Sequence, residues 1–251
     1  MRAFPSVLLM SAIVTTAQAA AEGQAAIEAR IKATLEQRYP TATIEAVHAS
    51  TTIAGWYEVV TPSDVNYTDA KADLLILGYV TDTRTKENLS QLRWGQLHAI
   101  DFKSLPFDRA IKVVKGDGSR KLAVFADPDC PYCRKLEQEL QGFSNITVYI
   151  FLFPIAELHP DANRRAEQIW CATDAATSWA SWVLEQKAPA DANCASTPIA
   201  ELAALGAKLK IFGTPTMFTV DGNRVVGAID KDELERRLTE ARVATRIAAA
   251  E

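Results

Sequence analysis

The chain has 251 residues, 48% of them hydrophobic, and a formal net charge of −4. That length supports one large domain or two small ones, each with a real core. An acidic balance without a basic stripe excludes nucleic acid as the main partner, and no low-complexity tract or repeat array interrupts the chain.

The first element is a candidate leader. In "MRAFPSVLLMSAIVTTAQAAAEGQ" one positive residue, Arg2, precedes an apolar run from about Val7 to Val14, and Ala17-Gln18-Ala19 matches an A-x-A cleavage pattern. The run is too short to span a bilayer as a permanent helix; the alternative is a hydrophobic N-terminal helix of the folded protein. Residues 1–19 are therefore predicted to be a signal peptide, cut after Ala19 or Ala21, and loss of Arg2 takes the net charge from −4 to −5. Export to an oxidising compartment such as the periplasm favours disulfides over metal binding for paired cysteines.

Residues 22–40 place Ala26, Ile27, Ile31 and Leu35 at helical spacing and stop at Pro40. "TIEAVHAS" and "GWYEVVT" are β-branched strands around an Ala54-Gly55 turn, and "ADLLILGYVTD" reads as a third strand buried through Leu74–Leu77. Residues 20–84 thus form a small α+β unit whose thin core would gain from pairing with a second copy. Residues 85–106 read as a connecting helix from near Lys86, fading toward Phe102, with Leu89, Leu92, Trp94 and Leu97 inside. Gly95 costs that helix about 1 kcal/mol against Ala and marks a place to bend or fray. The domain boundary is expected here.

From Phe107 to the end the pattern is α/β. "AIKVVKG", "KLAVFAD" and the continuous apolar run "ITVYIFLF" are strands, the last typical of a sheet interior. "CPYCRKLEQELQGF" is a helix with Tyr132, Leu136, Leu140 and Phe143 on one face. A helical stretch fills about 161–208, "TMFTVDGNRVVGAI" is a hairpin turning at Asp221-Gly222-Asn223, and a last helix starts at Asp230, with Glu233 completing an acidic capping box over buried Leu234 and Leu238.

Cys130 and Cys133 open a helix that follows a strand. A thiol there meets unpaired backbone N–H groups and the positive end of the helix dipole. Such thiols fall from about 8.5 to between about 3.5 and 7.5, and Pro131 suits the first helical turn, where its missing N–H is not needed. Cys130 is then the exposed, attacking thiol and Cys133 the deeper, resolving one. Arg134 and Lys135 favour a thiolate while Asp127 and Asp129 oppose it, so the sum has no sign from sequence.

Zinc usually draws its ligands from two short-spaced pairs. Cys171 and Cys194 lie 23 residues apart, and His48, His98 and His159 are scattered, so each histidine reads as a surface or loop residue and no metal is expected. A Cys171–Cys194 bridge would close a loop inside the helical stretch and contribute roughly 2–4 kcal/mol. In "FGTPTMF" a proline enters a strand, which requires a special turn, with Thr214–Pro215 either cis or trans.

Together the leader, the small first unit, the linker helix, "FADPDCPYCRKLE", "FPIAELHPDA", "IWCATD" and "GTPTMF" resemble the periplasmic DsbC/DsbG family of thiol-disulfide isomerases, over essentially the whole mature chain. The resemblance implies a V-shaped homodimer joined through its N-terminal units, with linker helices leading to thioredoxin-like domains that each carry a helical insertion. It implies no cofactor. It makes Cys130 the nucleophile and Cys133 the resolving cysteine, Pro215 a cis-proline facing them, and Thr214 the presenter of backbone to a bound peptide beside Pro131 and Tyr132. Cys171 and Cys194 match the family's structural disulfide. The implied partners are misfolded exported proteins with wrong disulfides and a DsbD-like membrane reductase. Isomerases of the DsbC type carry Gly-Tyr between the cysteines where this chain has Pro-Tyr, which leaves isomerase, net oxidase and DsbG-like reductase of sulfenylated cysteines in competition. A holdase chaperone is the alternative from another class.

Overall fold

The computed structural model describes the backbone of residues 10–248 and the side chains of residues 23–245. Two compact units follow one another in sequence, divided between Trp94 and Gly95. Residues 1–9 of the predicted leader lie outside the described residues, and the backbone of its remainder is helical. No helix among the described residues is long and apolar enough to cross a membrane.

The first unit lays its first helix on one sheet and ends within the connecting helix. Helix α1 (Met10–Arg38) begins well before the predicted start at residue 22 and buries Ile31 and Leu35 against Val47, Tyr57 and Val59. Strands β1 (Ala46–Ala49), β2 (Tyr57–Val60), β3 (Val65–Thr68) and β4 (Leu75–Ile76) pair antiparallel in chain order. Strand β3 was not foreseen, because its four residues follow the turn-forming Pro62-Ser63-Asp64 directly. The expected burial of Leu74–Leu77 is corrected: Leu74, Ile76 and Leu77 are 59%, 42% and 74% exposed. The reason is topological, since β4 is the edge strand and pairs only with β3. Wholly buried Glu58 is held by Arg93 at 2.8 Å and by the Thr51 N–H at 3.0 Å.

The connecting helix is shorter than expected. Helix α2 spans Leu89–Leu97, nine residues, and two single 3-10 turns at Phe102–Ser104 and Phe107–Arg109 replace its predicted continuation. Asn88 sets the start by accepting the Gln91 N–H at 2.9 Å, while Lys86 at φ 65° cannot be helical. Gly95 lies inside the helix, where a Cβ would stand 2.1 Å from the Arg224 carbonyl oxygen. Close approach explains this glycine.

The second unit is a five-stranded sheet covered by helices. Strands β5 (Ile111–Gly116), β6 (Arg120–Ala126), β7 (Asn145–Leu152), β8 (Thr216–Thr219) and β9 (Arg224–Val226) stand in the order β5-β7-β6-β8-β9. Only β6 and β7 run parallel, and they are joined through helix α3 (Pro131–Leu140). Leu136, Leu140 and Phe143 pack into the core as expected, but the expected burial of Tyr132 is corrected: in the first turn of α3 it is 63% exposed, while Cys133 beside it is buried. The helical stretch resolves into α4 (Ala162–Cys171), α5 (Ala175–Glu185) and α6 (Ile199–Lys208), with a non-helical segment around Cys194. Helix α7 (Lys231–Ala248) buries Leu234 and Leu238. Asp230 accepts the Glu233 N–H at 2.9 Å, but the Glu233 carboxylate binds Arg236 and Arg237 instead of completing the box.

Candidate active site

Parallel pairing makes β6 and β7 end side by side, with Ala126 opposite Leu152. The loops that leave them, Asp127–Cys130 and the segment through His159, therefore share one edge of the sheet, where α/β folds bind ligands. Cys130 has extended backbone, φ −72° and ψ 122°, and is the N-cap of α3, with Pro131 at the first helical position. Its N–H donates to the Asp127 carbonyl at 3.2 Å, and its own carbonyl accepts from the Arg134 N–H at 3.2 Å.

From the other side comes the loop before β8. The Thr214–Pro215 peptide is cis, and the Pro215 carbonyl is pinned by the Gly227 N–H at 2.8 Å. Cys130 Sγ lies 3.3 Å from the Thr214 carbonyl oxygen. Pro131, Tyr132, Thr214 and Pro215 thus gather with Cys130 and Cys133 in one place, whereas Cys171 and Cys194 join each other in a disulfide within the insertion, their Cα atoms 5.3 Å apart.

Cys130 and Cys133 are both free thiols, and both are buried, at 5% exposure for Cys130 and 3% for Cys133. The expectation of an exposed Cys130 is corrected: the loop carrying Thr214 and Pro215 lies against its sulfur. Charge separates the two residues where exposure does not. The Cys130 pKa is brought down from 9.0 to about 5, first by a hydrogen bond from the Cys133 thiol. The Thr214 side chain and the N–H groups of Cys133 and Tyr132 add to this, against the opposing effect of burial. Those N–H groups are the unpaired donors of the helix start. Burial first, and then the neighbouring Cys130, push the Cys133 thiol well above its ordinary value. The site therefore holds a thiolate in front of a thiol.

The acidic residues that left the sign open each have a basic partner. Asp129 is gripped by Arg165 of α4, whose guanidinium lies 3.9 Å from the centre of the Trp182 ring. Asp127 is wholly buried, with His159 Nδ1 2.9 Å from its Oδ2. His159 and Arg165 were missed as site residues. No local signal marks His159, since the parallel pairing of β6 with β7 is what brings it to the sheet edge of the cysteines.

A family model for a thioredoxin-like domain matches residues 107–242, and one for the N-terminal domain of disulfide bond isomerase proteins matches residues 16–91. The chain is 41% identical over 208 residues to the probable thiol:disulfide interchange protein DsbC of Bordetella pertussis, covering 83% of this chain and 73% of the relative. It is 28% identical over 193 residues to DsbC of Escherichia coli K12, covering 75% and 78% of the two chains. A crystal structure of a disulfide interchange protein from Neisseria gonorrhoeae superimposes with a TM-score of 0.53 at 40% identity, over 55% of this chain and 98% of that one. The chain belongs to the DsbC family of thiol:disulfide interchange proteins.

Proposed function

We propose that this protein rearranges non-native disulfides in exported proteins of the periplasm, through the Cys130–Cys133 dithiol. One observation carries the reading: a Cys130 thiol with a pKa of about 5 beside a Cys133 thiol that keeps its proton. The Cys130 thiolate attacks one sulfur of a substrate disulfide, that S–S bond breaks, and the other sulfur leaves as a thiolate. The resulting mixed disulfide has two exits. A substrate thiolate can attack the substrate sulfur, closing a new disulfide and returning the Cys130 thiolate with no net electron transfer. Alternatively Cys133 gives up its proton and attacks Cys130 Sγ, releasing reduced substrate and leaving the enzyme disulfide, which a membrane reductase of the DsbD type returns to the dithiol.

Exposed Tyr132, Leu158 and Phe212 offer apolar contacts to an unfolded chain around this edge, and Pro131, Thr214 and Pro215 line the place where its backbone would lie. Two copies would pair through the first unit, whose β4 edge carries exposed Leu74, Ile76, Leu77 and Tyr79. An unpaired apolar edge of this kind calls for a partner strand. Cys171–Cys194 would act as a structural brace, and residues 1–19 as the export signal.

The low Cys130 pKa favours a second reading, a net dithiol oxidase, because a stabilised thiolate makes the reduced form the more stable one. Cys130→Ser is expected to abolish recovery of a scrambled multi-disulfide substrate; undiminished recovery would replace the enzymatic reading by a holdase chaperone. Trapping the thiols in exported protein separates isomerase from oxidase, a mainly oxidised Cys130–Cys133 pair counting against isomerisation.

A further inference from the structure

The carboxylate of Asp127 has no exposed surface and sits at the start of the loop that delivers Cys130. A buried carboxylate needs donors for its lone pairs, and this one has three: the Asp129 N–H at 2.8 Å, the Ile155 N–H at 2.7 Å and His159 Nδ1 at 2.9 Å. Two of these are backbone amides. Only His159 can gain or lose charge. Because a carboxylate accepts hydrogen bonds, Nδ1 carries the proton in this pair, and the imidazole side chain retains 23% exposure through which it exchanges protons with solvent.

Asp127, Cys130 and Asp129 are the charged and titratable groups that act most strongly on His159. Asp129 already has a cation, Arg165. The His159 pKa is raised above 6.5, first by the hydrogen bond with Asp127, and the Cys130 charge contributes in the same direction. Coupling of this kind is reciprocal: whatever Cys130 does to proton binding at His159, His159 does to proton binding at Cys130.

We propose that His159 is a positioning residue of the redox site, whose imidazolium ion-pairs with buried Asp127 and balances the charge of the Cys130 thiolate. When the pair is oxidised, two electrons leave, Cys133 releases its proton and the negative charge on Cys130 disappears. The imidazolium then loses one of the anions that hold its proton. His159 accordingly binds its proton more tightly in the dithiol protein than in the disulfide protein, and the redox equilibrium acquires a pH dependence through the range in which His159 titrates.

This inference rests on the interchange reading of the site, but its test needs no substrate, so failure of one is distinguishable from failure of the other. The wild-type protein is titrated by NMR on the imidazole of His159, once reduced with excess dithiothreitol and once oxidised with glutathione disulfide. Proton affinity roughly threefold higher in the dithiol form is expected for a coupled pair; equal midpoints in the two forms would overturn the proposal. His159→Gln supplies the converse, since the amide can still donate to Asp127 but carries no charge. The midpoint for Cys130 alkylation should then move up from about 5, by roughly the same threefold in proton affinity, and an unmoved midpoint in folded protein would also overturn it.

Discussion

Trp182 Nε1 donates to the carbonyl of Pro128 at 2.7 Å, while its ring carries the Arg165 guanidinium at 3.9 Å. The donor comes from α5 and the cation from α4, and they act on Pro128 and Asp129, the two residues before Cys130. The helical insertion is thus the clamp of the active-site loop. Trp182→Phe keeps a ring for Arg165 but leaves the buried Pro128 carbonyl without that donor. The reduced protein should lose about 1–3 kcal/mol, read as a lower urea midpoint; an unchanged midpoint would show that the clamp contributes nothing.

The thiolate assignment predicts the pH profile of Cys130. Its pKa of about 5 lies below the 9.0 of an ordinary thiol, so the thiolate is present above that value and is lost as pH falls through it. Iodoacetamide should therefore alkylate Cys130 at a nearly constant rate from about pH 8 down to about 6, with half the rate near pH 5. A rate still rising through pH 8 would place the proton on Cys130 and remove the basis of nucleophilic attack.

This much of the site was legible because it is local in sequence. Cys130, Pro131 and Cys133 lie within one helix start, and the capping position follows from proline chemistry and from the strand before it. His159 was not legible, because its partner Asp127 lies 32 residues away and only the parallel pairing of β6 with β7 brings them together. The same limit governed β4. Its leucines and isoleucine read as a buried strand, yet whether such a run lies inside or at an edge depends on strand order, which the run itself does not encode. The length of α2 failed for the opposite reason, since a local cap at Asn88 outweighed a longer periodic pattern.

Exposed β4 predicts its own experiment. Ile76→Lys and Leu77→Glu place charges on an edge that is solvent-exposed within one chain, so the fold should survive with unchanged circular dichroism. If copies pair here, the variant sediments as a monomer at micromolar concentration while the parent sediments as a dimer. A variant that sediments like the parent would move the interface elsewhere.

The Cys171–Cys194 disulfide closes a loop with a sequence separation of 23 within the insertion. Replacing both cysteines by alanine should cost roughly 2–4 kcal/mol, seen as a lower Tm, with the Cys130 alkylation midpoint unchanged. Loss of interchange activity at a temperature where the variant remains folded would instead make this pair a second redox centre.

The most direct measurement traps the first covalent step. Cys133→Ser keeps a hydroxyl donor toward Cys130 but removes the thiol that would release a mixed disulfide. Incubated at pH 7 with a scrambled multi-disulfide protein, this variant should accumulate a covalent adduct through Cys130, located by mass spectrometry after digestion. No adduct, or an equal yield when Cys130 is also replaced by serine, would contradict the account.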